Sequence, residues 1–153
     1  MSSTVRAIPE GYEGPTAYLI VEGGAAAIEF YKKAFGAKEL GRFPNPDGKI
    51  GHADLMIGKG HIMLADASPE MGARAPAAYG GSPISLCVYV ENVDEVVARA
   101  VAAGAKLTRP VANQFYGDRT GGLTDPFGHV WYVMTHVEDV SHEEMQRRMA
   151  AKK

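Results

Sequence analysis

Residues 21–38 read VEGGAAAIEFYKKAFGAK, and residues 90–106 read VENVDEVVARAVAAGAK. Val21-Glu22 recurs as Val90-Glu91 at a spacing of 69, and Gly36-Ala37-Lys38 recurs as Gly104-Ala105-Lys106 at 68. Further on, Gly60-His61-Ile62 recurs as Gly128-His129-Val130, again at 68. Three short matches in the same order at nearly one offset mark a duplicated unit of about 68 residues. One residue is gained or lost between the first match and the others.

Each copy has the same order of elements. In the first, Thr16 to Val21 is an apolar, strand-like run. From Ala25 to Phe35, the residues Ile28, Tyr31 and Phe35 recur at helical spacing, with Glu29, Lys32 and Lys33 on the other face. Gly36 stands where a helix ends on a left-handed residue. Lys38 to Phe43 and Ile50 to Ile57 read as strands around the turn Pro44-Asn45-Pro46-Asp47-Gly48, and Gly58-Lys59-Gly60 turns the chain into His61 to Asp66. In the second copy Ile84 to Val90 is the first strand. Asn92 with Glu95 caps a helix whose apolar face is Val93, Val96, Val97, Ala100 and Val101, ended by Gly104. Leu107 to Val111, Phe115 to Thr124 and His129 to Thr135 read as strands, the last two joined by the turn Asp125-Pro126-Phe127-Gly128.

The fold class is therefore α+β, with two tandem βαβββ modules at 15–66 and 83–136. An N-terminal segment, 1–14, precedes them. A linker or flap rich in Ala, Gly, Pro and Ser, 67–82, joins them. In the tail, 137–153, Ser141 and Glu144 form a capping box that opens a short C-terminal helix. A lone half would leave one sheet face bare, so the pair is read as one structural domain.

Of the 153 residues, 46% are apolar and 22% charged, which is enough to bury a core. Sixteen basic residues against 18 acidic ones argue against a nucleic-acid surface, and the basic pairs Arg147-Arg148 and Lys152-Lys153 fall in the tail. Cys87 has no second cysteine to pair with, and inside Ile84-Ser85-Leu86-Cys87-Val88 it reads as a small buried hydrophobe. No apolar stretch approaches the roughly 18 residues of a membrane span, and no signal-peptide core opens the chain. No membrane partner is predicted, and the default location is cytoplasmic. Gly58-Lys59-Gly60 and Gly23-Gly24 lack the P-loop and dinucleotide patterns, so no nucleotide is predicted either.

Two tandem βαβββ halves resemble the vicinal oxygen chelate superfamily, which holds the glyoxalases, bleomycin-resistance proteins and extradiol dioxygenases. Ala27-Ile28-Glu29-Phe30-Tyr31-Lys32-Lys33-Ala34-Phe35-Gly36-Ala37 is similar to the family's first helix, and Asp125-Pro126-Phe127-Gly128-His129 to its last hairpin. The run from Tyr116-Gly117-Asp118-Arg119 to Thr135-His136-Val137-Glu138-Asp139-Val140-Ser141 resembles the PhnB-like branch. The resemblance implies cupped mixed sheets enclosing a site, a homodimer, and, in metal-dependent members, four ligands on the first and fourth strands. Carried over, those positions fall on Thr16, Ser85, Tyr132 and Leu64, or on Met63 if the strand is shifted by one. Such residues are not a divalent-metal set. No cofactor is expected, and a divalent metal would need an unorthodox set.

Other polar residues stay open to more than one reading. His52 alternates with Asp54 and Met56, so all three share a face, where the pair would bind a metal, orient a ligand or form a surface pair. His61 and His129 stand at hairpin turns, and His136 and His142 lie beyond the last strand. Arg119 has the fork to hold a carboxylate or phosphate, oriented by Asp118 or Tyr116; the other reading is an Asp-Arg pair that fixes the hairpin and aids a dimer contact. Trp131 and Tyr132 have opposite parity, and the family register puts Tyr132 toward the ligand. The expected function is binding of a small, partly apolar or planar ligand in the cup between the modules without a chelated metal. Its site residues are Thr16, His52, Asp54, Leu64, Ser85, Tyr116, Arg119 and Tyr132, none with an assigned catalytic role. The alternative is a metal-dependent or Tyr/His acid–base enzyme of lyase, isomerase or dioxygenase type.

Overall fold

The computed structural model describes residues 4–152. Part of the N-terminal segment (1–3) and the last residue of the Lys152-Lys153 pair lie outside them. The chain divides into two compact units at Ala75/Pro76.

The first unit holds β1 (Ala17–Val21), α1 (Gly24–Phe35), β2 (Lys38–Pro44), β3 (Ile50–Ile57) and β4 (Gly60–Asp66). Its strands form one four-stranded mixed sheet in the order β1-β4-β3-β2, with β1 parallel to β4 and the other pairs antiparallel. Alternation along the strands sends Leu19, Val21, Ala53, Leu55, Ile62 and Leu64 to one buried face, which packs under Ala27, Ile28, Tyr31 and Ala34 of α1. Tyr31 and Phe35 stack at 6.3 Å, and Phe30 meets each edge-on. No side chain of the turn caps the start of α1. Instead Asp66, at the end of β4, accepts from the amides of Gly23, Gly24 and Ile50 at 2.7–2.9 Å. Gly36 closes the helix at φ 67°, its N–H bonded to the Lys32 carbonyl.

The second unit repeats this with β5 (Ser85–Tyr89), α2 (Val93–Ala102), β6 (Lys106–Asn113), β7 (Asp118–Thr124) and β8 (Val130–His136), in the sheet order β5-β8-β7-β6. Leu123, Trp131 and Val133 bury against Val93, Val96, Val97 and Ala100 of α2. Val101, expected on that apolar face, is exposed. The Asn92 side chain accepts from the Glu95 amide, as the capping pattern predicts. Trp131 donates through Nε1 to the buried Asp125, which also accepts from the amides of Phe127 and His129.

Three local expectations change. The expected strand from Phe115 starts only at Asp118, because Gly117 adopts φ 102° and bonds back to Gln114 as a turn. β6 runs past Val111 to Asn113. The 67–82 segment contains a Ser68–Ala73 bridge, two short 3-10 turns (Pro69–Met71 and Pro76–Tyr79), and the buried pair Ala75 and Pro76. The tail helix α3 (His142–Ala150) is capped by Ser141, whose hydroxyl accepts from the Glu144 amide. Arg148 ties it to Glu138 and to the Phe115 carbonyl. Among the described residues no helix is long and apolar enough to cross a membrane.

Candidate functional site

Each sheet has a second face, free of its helix, and the candidate residues are best located by strand register. In the first unit Gly41, Asp54 and Met63 form a row across β2, β3 and β4. In the second, Arg109, Gly122 and Tyr132 form the matching row across β6, β7 and β8. The offset is 68 for the first two members and 69 for the last, because the β7–β8 turn is longer than the β3–β4 turn. That slip places Met63, not Leu64, opposite Asp54. Leu64 is fully buried on the helix-covered face.

The polar face of the first unit is closed on itself. Asp54 accepts from the Tyr12 hydroxyl through one oxygen and faces His61 Nδ1 at 3.2 Å through the other. The Tyr12 ring lies over the His61 imidazole, centroids 4.1 Å apart. Gly11 passes so near His61 that a Cβ there would stand 2.7 Å from Nε2. The bond to Asp54, aided by burial, raises the Tyr12 phenol above its ordinary value. His52 does not join this cluster: its Nδ1 meets the Tyr18 hydroxyl at 2.8 Å. Thr16 stands just before β1, half-buried. A separate 490 Å³ hollow in this unit lies between the Asn45–Gly51 turn and the Ala67–Ala73 segment.

In the second unit a 270 Å³ hollow is lined by Cys87, Arg109, Gln114, Tyr116, Tyr132 and Met134, with Thr120 and Gly122 among its other walls. Cys87 is exposed there, not buried, because Leu86 and Val88 take the helix side of β5. Tyr132 shares the helix-free face while Trp131 packs beneath α2. Ser85 lies on the same face, exposed at the start of β5.

Arg119 lies elsewhere. Its guanidinium bonds bidentately to Asp94 of α2 at 2.7 and 2.9 Å and to Asn113 at 3.1 Å, on the helix side. The expected partners Asp118 and Tyr116 do not touch it. Asp118, almost fully buried, accepts instead from the Tyr89 hydroxyl at 2.6 Å and from His136 Nδ1 at 2.8 Å. Burial pushes the Asp118 carboxyl up, but those two donors outweigh it and hold it below the usual range. His136, the last residue of β8, meets Asp139 through Nε2 at 2.8 Å, and its two carboxylate neighbours raise it above the ordinary histidine value.

Sequence reasoning missed Tyr12, which engages Asp54, and Arg109 and Met134, which line the hollow of the second unit. Tyr12 sits in a segment without periodicity, and Arg109 is displaced by a bulge. The four positions that the family uses for metal carry two aliphatic hydroxyls, a phenol and either a thioether or a hydrocarbon, which do not fit a chelated divalent ion. Among the described residues no group of three or more His, Cys, Asp or Glu side chains is arranged to hold a metal ion.

The family model of the Glyoxalase/Bleomycin resistance protein/Dioxygenase superfamily matches residues 15–133, and the chain belongs to that superfamily. An uncharacterized protein of Mycobacterium bovis is 42% identical over 137 residues, covering 88% of this chain and 90% of its own. The crystal structure of TioX from Micromonospora sp. ML1 superposes with a TM-score of 0.63 at 27% identity, over 84% of this chain and 100% of that one. The PhnB protein from Bacillus cereus shares the fold with a TM-score of 0.63 at 19% identity, over 80% of this chain and 99% of that one.

Proposed function

We propose that this protein binds a small, partly apolar or planar molecule on the helix-free face of its second unit, without a chelated metal, as a cytoplasmic homodimer. The observation that carries the reading is the 270 Å³ hollow lined by Tyr132, Met134, Cys87 and Tyr116 among others. One aromatic face and a thioether suit a flat apolar body, while Gln114 and Thr120 offer a few polar contacts to orient it. The volume lies near the small end of ligand sites, which favours a one-ring compound over a large drug.

Titration calorimetry with a panel of small planar aromatics tests it. Saturable heat at one site per chain is expected, weakened roughly tenfold in Tyr132→Ala by loss of stacking area. No saturable heat from any member of the panel would remove the reading.

A further inference from the structure

We infer that the ligand of the second unit carries a carboxylate on its ring, and that Arg109 is the residue that receives it. This rests on the binding site proposed above and names the chemical class of its ligand.

Arg109 reaches the site through the backbone. Leu107 pairs with Leu123, but Arg109, not Thr108, pairs with Gly122, because β6 shifts register between Leu107 and Arg109. A regular strand would have sent Arg109 toward α2; the bulge turns it to the helix-free face. Gly122 then clears its path. A Cβ on Gly122 would stand 3.1 Å from Tyr132 Cε1, 3.2 Å from Arg109 Cβ and 3.3 Å from Arg109 Cγ. With only hydrogen there, the arginine stem crosses β7 and its guanidinium carbon rests 5.6 Å from the centre of the Tyr132 ring.

The charge at this point is unspent. Arg42, Arg99, Arg119, Arg147 and Arg148 each meet a carboxylate. Arg109 lines the hollow with no carboxylate partner among the described residues, and the side chains around it, Cys87, Gln114, Tyr116, Thr120, Tyr132 and Met134, include no acid. A planar cation beside an aromatic ring and the Met134 thioether is complementary to an aromatic carboxylate, with the ring on Tyr132 and the oxygens on the guanidinium fork.

The test compares benzoate with benzamide, which keeps the ring and shape but not the charge. Calorimetric titrations would use the full chain as wild type, Arg109→Met and Arg109→Lys. Benzoate is expected to bind at least tenfold tighter than benzamide. That preference should vanish in Arg109→Met, return in part in Arg109→Lys, and shrink as salt rises. Unchanged Trp131 fluorescence and Tm confirm that the variants fold; should the methionine variant fail to, Arg109→Lys and the salt series still decide. Equal affinity for both compounds, or a preference that survives Arg109→Met, overturns the carboxylate assignment while leaving the binding site standing. Saturable binding by neither compound nor any planar relative removes both.

Discussion

His136 shows how little of a side chain's role its sequence neighbourhood reveals. Placed beyond the last strand by its sequence, it ends β8 with Asp118 on one nitrogen and Asp139 on the other, and Tyr89 holds the second oxygen of Asp118. Donation to Asp118, then to Asp139, holds the proton on the imidazole and raises its pKa above the ordinary histidine value. A group raised in the folded state stabilises fully below its unfolded value of about 6.5 and loses that contribution as pH climbs through the folded value. The Tm of the wild type should therefore fall more steeply than that of His136→Gln as pH rises above about 6.5. Parallel curves would contradict the assignment. Arg119 and Arg109 make the same point about legibility. Arg119 meets Asp94 across 25 residues, a pairing that periodicity cannot report. Arg109 owes its direction to a register shift, and bulges leave no mark in an alternation pattern.

Elements were far more legible than partners. Helix positions, the Asn92 and Ser141 caps and the Gly36 stop follow from local chemistry, and each stands where its residues imply. The start of α1 is the exception, since its cap comes from 42 residues away. Burial raises the Asp66 carboxyl, but the amides of Ile50, Gly24 and Gly23 outweigh it and hold it low. Its contribution is thus complete above about pH 4 and fades as acid titrates it through the folded value. Asp66→Ala orphans three donors at once and should cost about 2 kcal/mol, seen as a Tm lower by roughly 5 °C in thermal denaturation at neutral pH. An unchanged Tm would mean that water replaces the carboxylate at no cost.

For the chain as a whole, the duplication was legible because it repeats short motifs at a near-constant spacing, while the one-residue slip between copies blurred which face each residue joined. The proposed homodimer predicts that sedimentation velocity gives twice the 16.4 kDa chain mass. A single 16.4 kDa species at micromolar concentration would exclude it. The matched rows Gly41–Asp54–Met63 and Arg109–Gly122–Tyr132 carry a last consequence. An ancestral copying event hands both descendants the same scaffold, bulge included. Here the heirs have traded places, with an acid where the sibling has glycine and a base where the sibling has glycine. The acid is engaged by Tyr12 and His61, whereas the base rests beside the Tyr132 ring, so the two copies offer different chemistry at matched positions of one scaffold.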